Sequence, residues 1–513
     1  MNCIISLLFL LCSFLTLNAQ EVASAITDKD CYLTGERLHI RIDVKDQAQQ
    51  PSLSKVAYVE ISDEHRICAQ GMAQLTDGIG WADIALPATM HSGNYQLSVY
   101  TRIMRNQPQE TYFRKMISVV NMLRVVRADN IVYLPLDSMP QLYIARPTTV
   151  CKPGEELRLS IAPEYQQGTL TLMRKDLQTP AYDQLPALKP SAEKRQQDFI
   201  PEAEGHIVIA RPTGTQPVEL TRLVMVGRMA AIYDGQWQAD GTWHYYTHGL
   251  NGNLPTLLNC YDHEGKPVGM EFVSPFAKVL PQALPQLQVY TNEQDLQRRS
   301  LSAQREQIVS EWQSIDSLSL ASDYLSSEPH HSYDLDEYTK FSTIREILIE
   351  FVKGVHRAKV GGVNQLFTFD PETHKFSRWP ALVLLDGMPV YDIDEVLEYD
   401  ARLLKYVQIY TDRYTFGSTM CQGIISFISQ RGRLSNYKID AGSHLVSYQF
   451  PQDHPAFIAP AENTAGTLYW NPCTTGASIT LTAPAEAGTY ELIRQRFLPD
   501  GSVEKSIEEV IIK

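Results

Sequence analysis

Several groups of residues have types and spacings that could do chemistry. His244 and His248 stand four apart in His244-Tyr245-Tyr246-Thr247-His248. On a helix that spacing could ligate a metal. In β-rich surroundings it puts both on one strand face, and no glutamate occupies the place of a metalloprotease's general base, so the run reads as a packed strand. His330, His331, Asp334, Asp336 and Glu337 could offer ligands to a divalent ion. Adjacent side chains rarely point the same way, and the segment reads as a solvated loop. Asp386-Gly387 lies between two apolar runs and reads as a hairpin turn, not a catalytic carboxylate. Trp237, Trp243, Tyr245 and Tyr246 cluster in sequence and could stack on a sugar, although such rings are more often core. Gly-x-Ser-x-Gly, His-Glu-x-x-His, a phosphate loop and a dinucleotide fingerprint do not occur. The expectation is therefore no catalytic residue, no metal and no cofactor: not an enzyme.

The elements that must carry these residues are mostly strands. The chain has 513 residues, enough for about three to five domains, and a net charge of −14. That charge argues against a nucleic-acid partner, which wants basic patches. With 28 Gly and 29 Pro the chain is not collagen-like or of low complexity. Residues 1–19 read as a signal peptide: a mostly apolar stretch from Ile4 to Leu17 precedes the small residue Ala19. No later run is long and apolar enough to span a membrane as a helix, so the mature chain is expected to have no spanning segment. Beyond the signal stand Cys31, Cys68, Cys151, Cys260, Cys421 and Cys473. Their wide spacing suggests neither a dense disulfide framework nor a zinc site.

Leu38, Ile40 and Ile42 alternate with polar residues, and further period-2 runs come at Ala57–Ile61, Trp81–Leu86, Tyr95–Val99 and Ile117–Val120. Turns at about ten-residue spacing make this a β-sandwich. Two echoes point to repeated units. Cys31-Tyr32-Leu33-Thr34-Gly35-Glu36 is matched by Cys151-Lys152-Pro153-Gly154-Glu155, and Gly93-Asn94-Tyr95-Gln96-Leu97 by Gly488-Thr489-Tyr490-Glu491-Leu492. Asn292 to Ser319 places Leu301, Ile308, Trp312 and Ile315 near helical spacing and predicts a linker helix with one buried stripe. Thr343-Ile344-Arg345-Glu346 is a capping box opening a helix through Val352, stopped by Gly354. Short apolar strands are expected at Ala381–Leu385, Leu403–Tyr410 and Ile424–Ile428.

Two stretches resemble known domains. The first carries Tyr32-Leu33-Thr34-Gly35-Glu36 and the run from Ser92 through Tyr100-Thr101-Arg102-Ile103-Met104-Arg105-Asn106. It resembles the second macroglobulin-type domain of exported Bacteroidota proteins. The other carries Leu384-Leu385-Asp386-Gly387-Met388-Pro389-Val390, then Tyr414-Thr415-Phe416-Gly417, then Gly423 through Gly432. It resembles the plug domain of TonB-dependent outer-membrane receptors. The resemblance gives Asp386, Gly387, Pro389, Gly417, Gly423 and Gly432 structural or docking roles. A receptor's plug sits in a barrel of about 22 strands, and the stretch after Gly432 is far too short for one, so transport is not expected. A macroglobulin thioester would need Cys-Gly-Glu-Gln, whereas Cys421-Gln422-Gly423 does not match it. Thr467-Leu468-Tyr469-Trp470-Asn471-Pro472 is similar to sequences that come after the plug-like domain in long proteins of this layout.

The expected fold class is mainly β: tandem macroglobulin- or Ig-like sandwiches plus one small α+β plug-like domain. The expected domains are 20–121 (macroglobulin-like), 122–198 (a second macroglobulin-like unit), 199–285 (carboxypeptidase-regulatory-like sandwich), 286–335 (linker with helix), 336–435 (plug-like) and 436–513 (C-terminal macroglobulin-like sandwich). The expected function is a scaffold or adaptor docking to outer-membrane or surface proteins, on the periplasmic face in preference to the cell surface. The alternative is a glycan- or peptide-binding module of a nutrient-capture system, through Trp237, Trp243, Tyr245 and Tyr246.

Overall fold

Alternation of apolar and polar residues sets the first sheet. Leu38, Ile40, Ile42 and Val44 are buried, while His39 and Asp43 between them reach the surface in part. The computed structural model describes residues 20–122, 131–139, 146–182, 184–190, 199–226, 231–264, 266–316, 328–370, 373–416, 419–430, 437–439, 443–453 and 466–513. The signal-peptide reading of residues 1–19 lies outside them, as do Gly417 and Gly432. The chain divides into two units. The first takes the described residues up to His206, with Phe276–Trp312 and Pro451–Lys513; the second takes Ile207–Pro275 and Gln313–Phe450.

The first unit holds two sandwiches. In the first, Glu21–Thr27, Arg37–Asp46 and Ile79–Ala85 form one sheet. The other runs Cys31–Leu33, Phe113–Val120, Gly93–Thr101, Val56–Ser62, Ile67–Gln74 in spatial order. Between them lies a core that includes Tyr32, Tyr58, Leu97 and Tyr100. The second sandwich repeats this plan. Its five-stranded sheet runs Arg146–Cys151, Val503–Ile512, Gly488–Phe497, Thr169–Arg174, Thr467–Asn471, and Glu156–Ser160 pairs with Ser478–Thr482 opposite. The pairing senses agree strand for strand, including the one parallel pair in each.

This corrects the expected domain list. The expected units 122–198 and 436–513 are not two sandwiches: their strands from Arg146 to Arg174 and from Thr467 to Ile512 are the two halves of one, while Ser443–Gln449 belongs elsewhere. Neither half has enough strands to bury an apolar face alone. Everything between Arg174 and Thr467 is inserted where the first sandwich has only the turn Asp63–Arg66, closed by Asp63 N–H donating to Arg66 O at 3.0 Å.

The two echoes fall on equivalent places. Gly35 and Gly154 take φ of 89° and 76°, a left-handed turn that suits glycine. Gly35 N–H donates to Leu86 O, and Leu86 N–H back to Glu36 O; Gly154 N–H donates to Ala483 O, and Ala483 N–H back to Glu155 O. Tyr95 and Tyr490 are both buried, and each hydroxyl donates to the carbonyl four residues upstream, His91 at 2.7 Å and Glu486 at 2.8 Å. That is a tyrosine corner in each sandwich.

Helix α1, Glu293–Asp316, opens at Asn292, whose Oδ1 accepts from Asp295 N–H at 2.9 Å. Its inward residues are Leu296, Arg299 and Ala303; Leu301, expected in the buried stripe, is 60% exposed. Leu301 therefore does not belong to the buried side of the helix, and the side chains of Ile308, Trp312 and Ile315 lie outside the described residues. Arg299 is fully buried and ties the helix to three residues by four hydrogen bonds. It donates to Glu36 at 2.6 and 3.0 Å, to Asp176 at 2.9 Å and to Cys31 O at 3.0 Å. Lys29 adds a second cation to Glu36 at 3.1 Å. The Tyr100–Asn106 run also has a packing role. Arg105 lies over the Phe199 ring at 4.0 Å, and Asn106 makes two hydrogen bonds to the Phe199 backbone.

The second unit contains a third sandwich and a mixed region. The sandwich pairs Ile207–Pro212 with Trp243–Tyr246 and Met270–Phe272, and Leu220–Met225 with Ala231–Asp234 and Asn253–Tyr261. Its last strand is Ser443–Gln449, which pairs with Asn253–Tyr261, while residues 276–285 belong to the first unit. The boundary 199–285 is corrected accordingly, because strand pairing and not adjacency sets it. The mixed region carries helix α2, Ile344–Glu350, with both capping-box bonds of Thr343 and Glu346 formed. Helix α3 is Ile393–Leu397. They cover a sheet ordered His331–Asp334, Leu404–Phe416, Thr419–Ser429, Leu382–Leu385, Met388–Pro389.

Candidate interaction surface

In the mixed region the apolar runs Leu382–Leu385 and Ile424–Phe427 lie side by side in parallel and are almost wholly buried. The turn after the first run bends through Asp386 and Gly387 at φ of 47° and 77°, a pair of positive values typical of a two-residue hairpin. The Asp386 side chain is 0% exposed. Its Oδ1 accepts from Ser429 N–H at 2.7 Å and its Oδ2 from Ser429 Oγ–H at 2.6 Å. The carboxylate therefore clamps the turn to the neighbouring strand, and no partner can reach it. Pro389 pairs with Leu384 at the sheet edge. Gly423 sits where a Cβ would collide with Thr368 Oγ1, so it permits the close approach of a second, smaller sheet. Asp386, Gly387, Pro389 and Gly423 are thus framework for this region.

That smaller sheet is Val355–Val360, Val363–Asp370 and Lys375–Phe376. Its hairpin turns at Gly361-Gly362, and its register sets two faces. Lys359 with Asn364, Arg357 with Leu366 and Val355 with Thr368 share the inner face, where Leu366 and Thr368 are buried. Val360 with Val363, Ala358 with Gln365, His356 with Phe367, and Phe369 with Phe376 share the other. On that outer face Val360 and Val363 are each 53% exposed and Phe376 46%. His356 lies on Phe376 with ring centroids 5.0 Å apart, and Phe369 meets Phe376 edge-on at 5.6 Å. Trp379, the next aromatic along the chain, is 61% exposed with Arg378 over its ring. Between these ends Phe367 is buried, so the open apolar residues are the Val360–Val363 pair and Phe376, and exposed apolar groups gathered on one small sheet mark an interaction site more often than scattered single residues do. Sequence reasoning passed over this hairpin. Its signal was present in two valine-flanked runs around Gly-Gly.

The other candidates divide. On the third sandwich Tyr245 is fully buried and hydrogen-bonded to Thr221, so it belongs to the core and cannot stack on a ligand. Trp237 is 56% exposed and meets the half-buried Trp243 edge-on at 5.4 Å; Tyr246 is half-buried. His244 lies in the strand and is buried, whereas His248 lies beyond it and is exposed. The predicted loop at His331–Asp334 is a strand paired with Leu404–Phe416. Asp334 and Asp336 are taken up by Lys405, at 2.9 and 2.6 Å, instead of gathering around a cation. Among the described residues no group of three or more His, Cys, Asp or Glu is placed to hold a metal ion. The six cysteines from Cys31 to Cys473 stand as free thiols, and burial pushes the thiols of Cys260 and Cys421 up to about 11. A cleft in the first unit, lined by Asp30, Lys115, Lys175, Lys505 and Glu509 among others, has these charges paired with one another. Asp30 bridges Lys115 and Lys505, and Lys175 pairs with Glu509.

No family model matches the chain, and no curated protein matches it. Solved structures do match. The native form of Escherichia coli alpha-2-macroglobulin is similar over 97% of this chain and 22% of its own length, at 11% identity and a TM-score of 0.17. Dimeric latent PorU from Porphyromonas gingivalis is similar over 96% of this chain and 34% of its own, at 8% identity and a TM-score of 0.16. The Escherichia coli adhesin FdeC is similar over 50% of this chain and 62% of its own, at 12% identity and a TM-score of 0.17. The chain thus spans 22% of the macroglobulin it matches. At such TM-scores the likeness carries no argument. The strand pairing itself makes the protein mainly β, with two sandwiches of one plan, the second opened to admit the rest of the chain.

Proposed function

We propose that this chain is a non-enzymatic exported envelope protein that acts as a scaffold or adaptor, not as a transporter. The two like sandwiches are the framework, and the unit inserted in the second presents the docking surface. The observation that carries this reading is the open apolar face of the Val355–Phe376 sheet, with Val360, Val363 and Phe376 exposed. Loops on a rigid scaffold are where binding residues concentrate, and this unit occupies the place of a hairpin turn. The partner is an outer-membrane or other envelope protein, met on the periplasmic side. The plug-like turn around Asp386 contributes by holding the surface in shape.

The test is a photo-crosslinking amino acid placed at Val363, at Phe376 and, as a control, at the exposed Leu301 of α1. In intact cells Val363 and Phe376 should capture the same envelope protein, and Leu301 should not. Failure of both to form any adduct removes the reading. A second reading, glycan capture, is favoured by the exposed Trp237, edge-on to the half-buried Trp243. It predicts a glycan-induced change in tryptophan emission that Trp237→Ala abolishes; an array without binding discards it.

A further inference from the structure

The Val355–Val360 strand is the outer edge of its sheet among the described residues. The direction of its free backbone groups is set by register. Phe369 N–H donates to Gly354 O at 2.8 Å, which makes 354 and 369 a hydrogen-bonded pair. Such pairs alternate in an antiparallel ladder. His356 with Phe367, Ala358 with Gln365 and Val360 with Val363 are then the bonded pairs. Val355, Arg357 and Lys359 direct their N–H and C=O away from the sheet. An unprotected edge of this kind is a template for another strand.

The side chains on the edge state what strand it would accept. Arg357 and Lys359 are exposed, lie on the inner face beyond the packed layer, and make no ion pair or hydrogen bond with a described residue. Ala358 and Val360 lie on the apolar outer face. The strand carries no acidic residue, in a chain whose net charge is −14. A neutral or basic strand would bring nothing to Arg357 and Lys359, and a basic one would be repelled.

We infer that the Val355–Val360 edge takes an extended peptide segment of the partner as an added strand, with acidic residues alternating with apolar ones. The acidic side chains stand opposite Arg357 and Lys359, and the apolar ones add to the open residues Val360, Val363 and Phe376. Main-chain bonds supply affinity, and alternate side chains supply selectivity. This rests on the docking reading above and names the chemistry of its partner.

The experiment uses the whole chain and a fluorescent peptide alternating glutamate and valine, matched in length to the strand. Anisotropy should show saturable binding, and hydrogen exchange should slow at the amides of Val355, Arg357 and Lys359. A lysine–valine peptide should not bind. A glutamate–valine peptide N-methylated along its pairing edge should not bind either, an arm that leaves the protein unaltered. Charge reversal with Arg357→Glu and Lys359→Glu together should weaken binding by at least about threefold, each cross-strand ion pair being a modest contribution. Equal binding of the lysine–valine or N-methylated peptide overturns the inference. So does protection of these amides by phosphatidylglycerol vesicles but not by peptide. If adducts at Val363 persist undiminished in the charge-reversed variant, the docking face stands and strand addition fails. If the unaltered chain forms no adduct at all, it is the docking reading that fails.

Discussion

The two sandwiches of the first unit are one design put to different uses. Each has the same strand order in its five-stranded sheet, the same left-handed turn at Gly35 or Gly154, and the same tyrosine corner at Tyr95 or Tyr490. They differ in the role of the glutamate next to the turn glycine. Glu36 is buried and receives Arg299 and Lys29, whereas Glu155 is exposed and merely caps its own turn at Lys152 N–H, 2.8 Å away. They differ also in the hairpin, closed by Asp63–Arg66 in the first and opened to admit the inserted unit in the second. The two differences are linked. Arg299 lies on α1, in a part of the inserted stretch that belongs to the first unit, so the first sandwich uses its turn glutamate to hold that helix. Backbone turns and corners define the module, and the side chain after the glycine is free to take on a different role in each copy.

The largest expected effect tests that asymmetry. Arg299→Met leaves Glu36 and Asp176 buried without their shared cation and should cost about 3–5 kcal/mol in urea unfolding. Glu155→Ala should stay within about 0.5 kcal/mol. Equal losses at Glu36→Gln and Glu155→Gln would erase the distinction between the copies.

Acid should separate them next. Burial opposes ionisation of Glu36, but Arg299 and Lys29 outweigh it and hold its carboxyl below the ordinary glutamate range. The folded state then binds fewer protons than the unfolded one. The stability from this group is complete above the unfolded carboxylate range and is lost as pH falls through the folded value. A urea midpoint that drops on acidification, with a shallower drop in Glu36→Gln, is the expected result; identical slopes would assign acid sensitivity elsewhere.

The corners should show what the copies share. Tyr95→Phe and Tyr490→Phe each remove one part-buried hydroxyl hydrogen bond and should each cost about 1 kcal/mol. A large loss at one and none at the other would mean the resemblance is only geometric. The smallest effect on stability is expected on the open sheet of the second unit. Phe376→Ser with Trp379→Ser should change the unfolding free energy by less than about 0.5 kcal/mol while abolishing the envelope crosslinks from Val363. A strongly destabilised double variant would show that the face is packing surface and not a docking surface.

Local features were legible in the residues. The alternation of Leu38, Ile40 and Ile42, the Thr343–Glu346 capping box, the Asp386-Gly387 turn and both echoes correspond to what the structure contains. Less of the candidate surface was legible. The expected site centred on Asp386 and on four aromatics, of which Asp386 and Tyr245 are buried. The exposed hairpin of Val355 to Phe376 drew no notice, because an apolar residue in a strand looks the same in sequence whether its face is covered or open.

By itself the sequence determined the kinds of element and the kind of module, since period-2 alternation and positive-φ turns are set by neighbours a few residues apart. Only the tertiary structure decided that Thr169–Arg174 pairs with Thr467–Asn471, that Glu36 meets Arg299, and that one sheet face stays uncovered. The physical reason is that closing a loop costs entropy only as the logarithm of its length. Sequence distance therefore scarcely restricts which strand completes a sheet, and the packing of whole faces makes the choice.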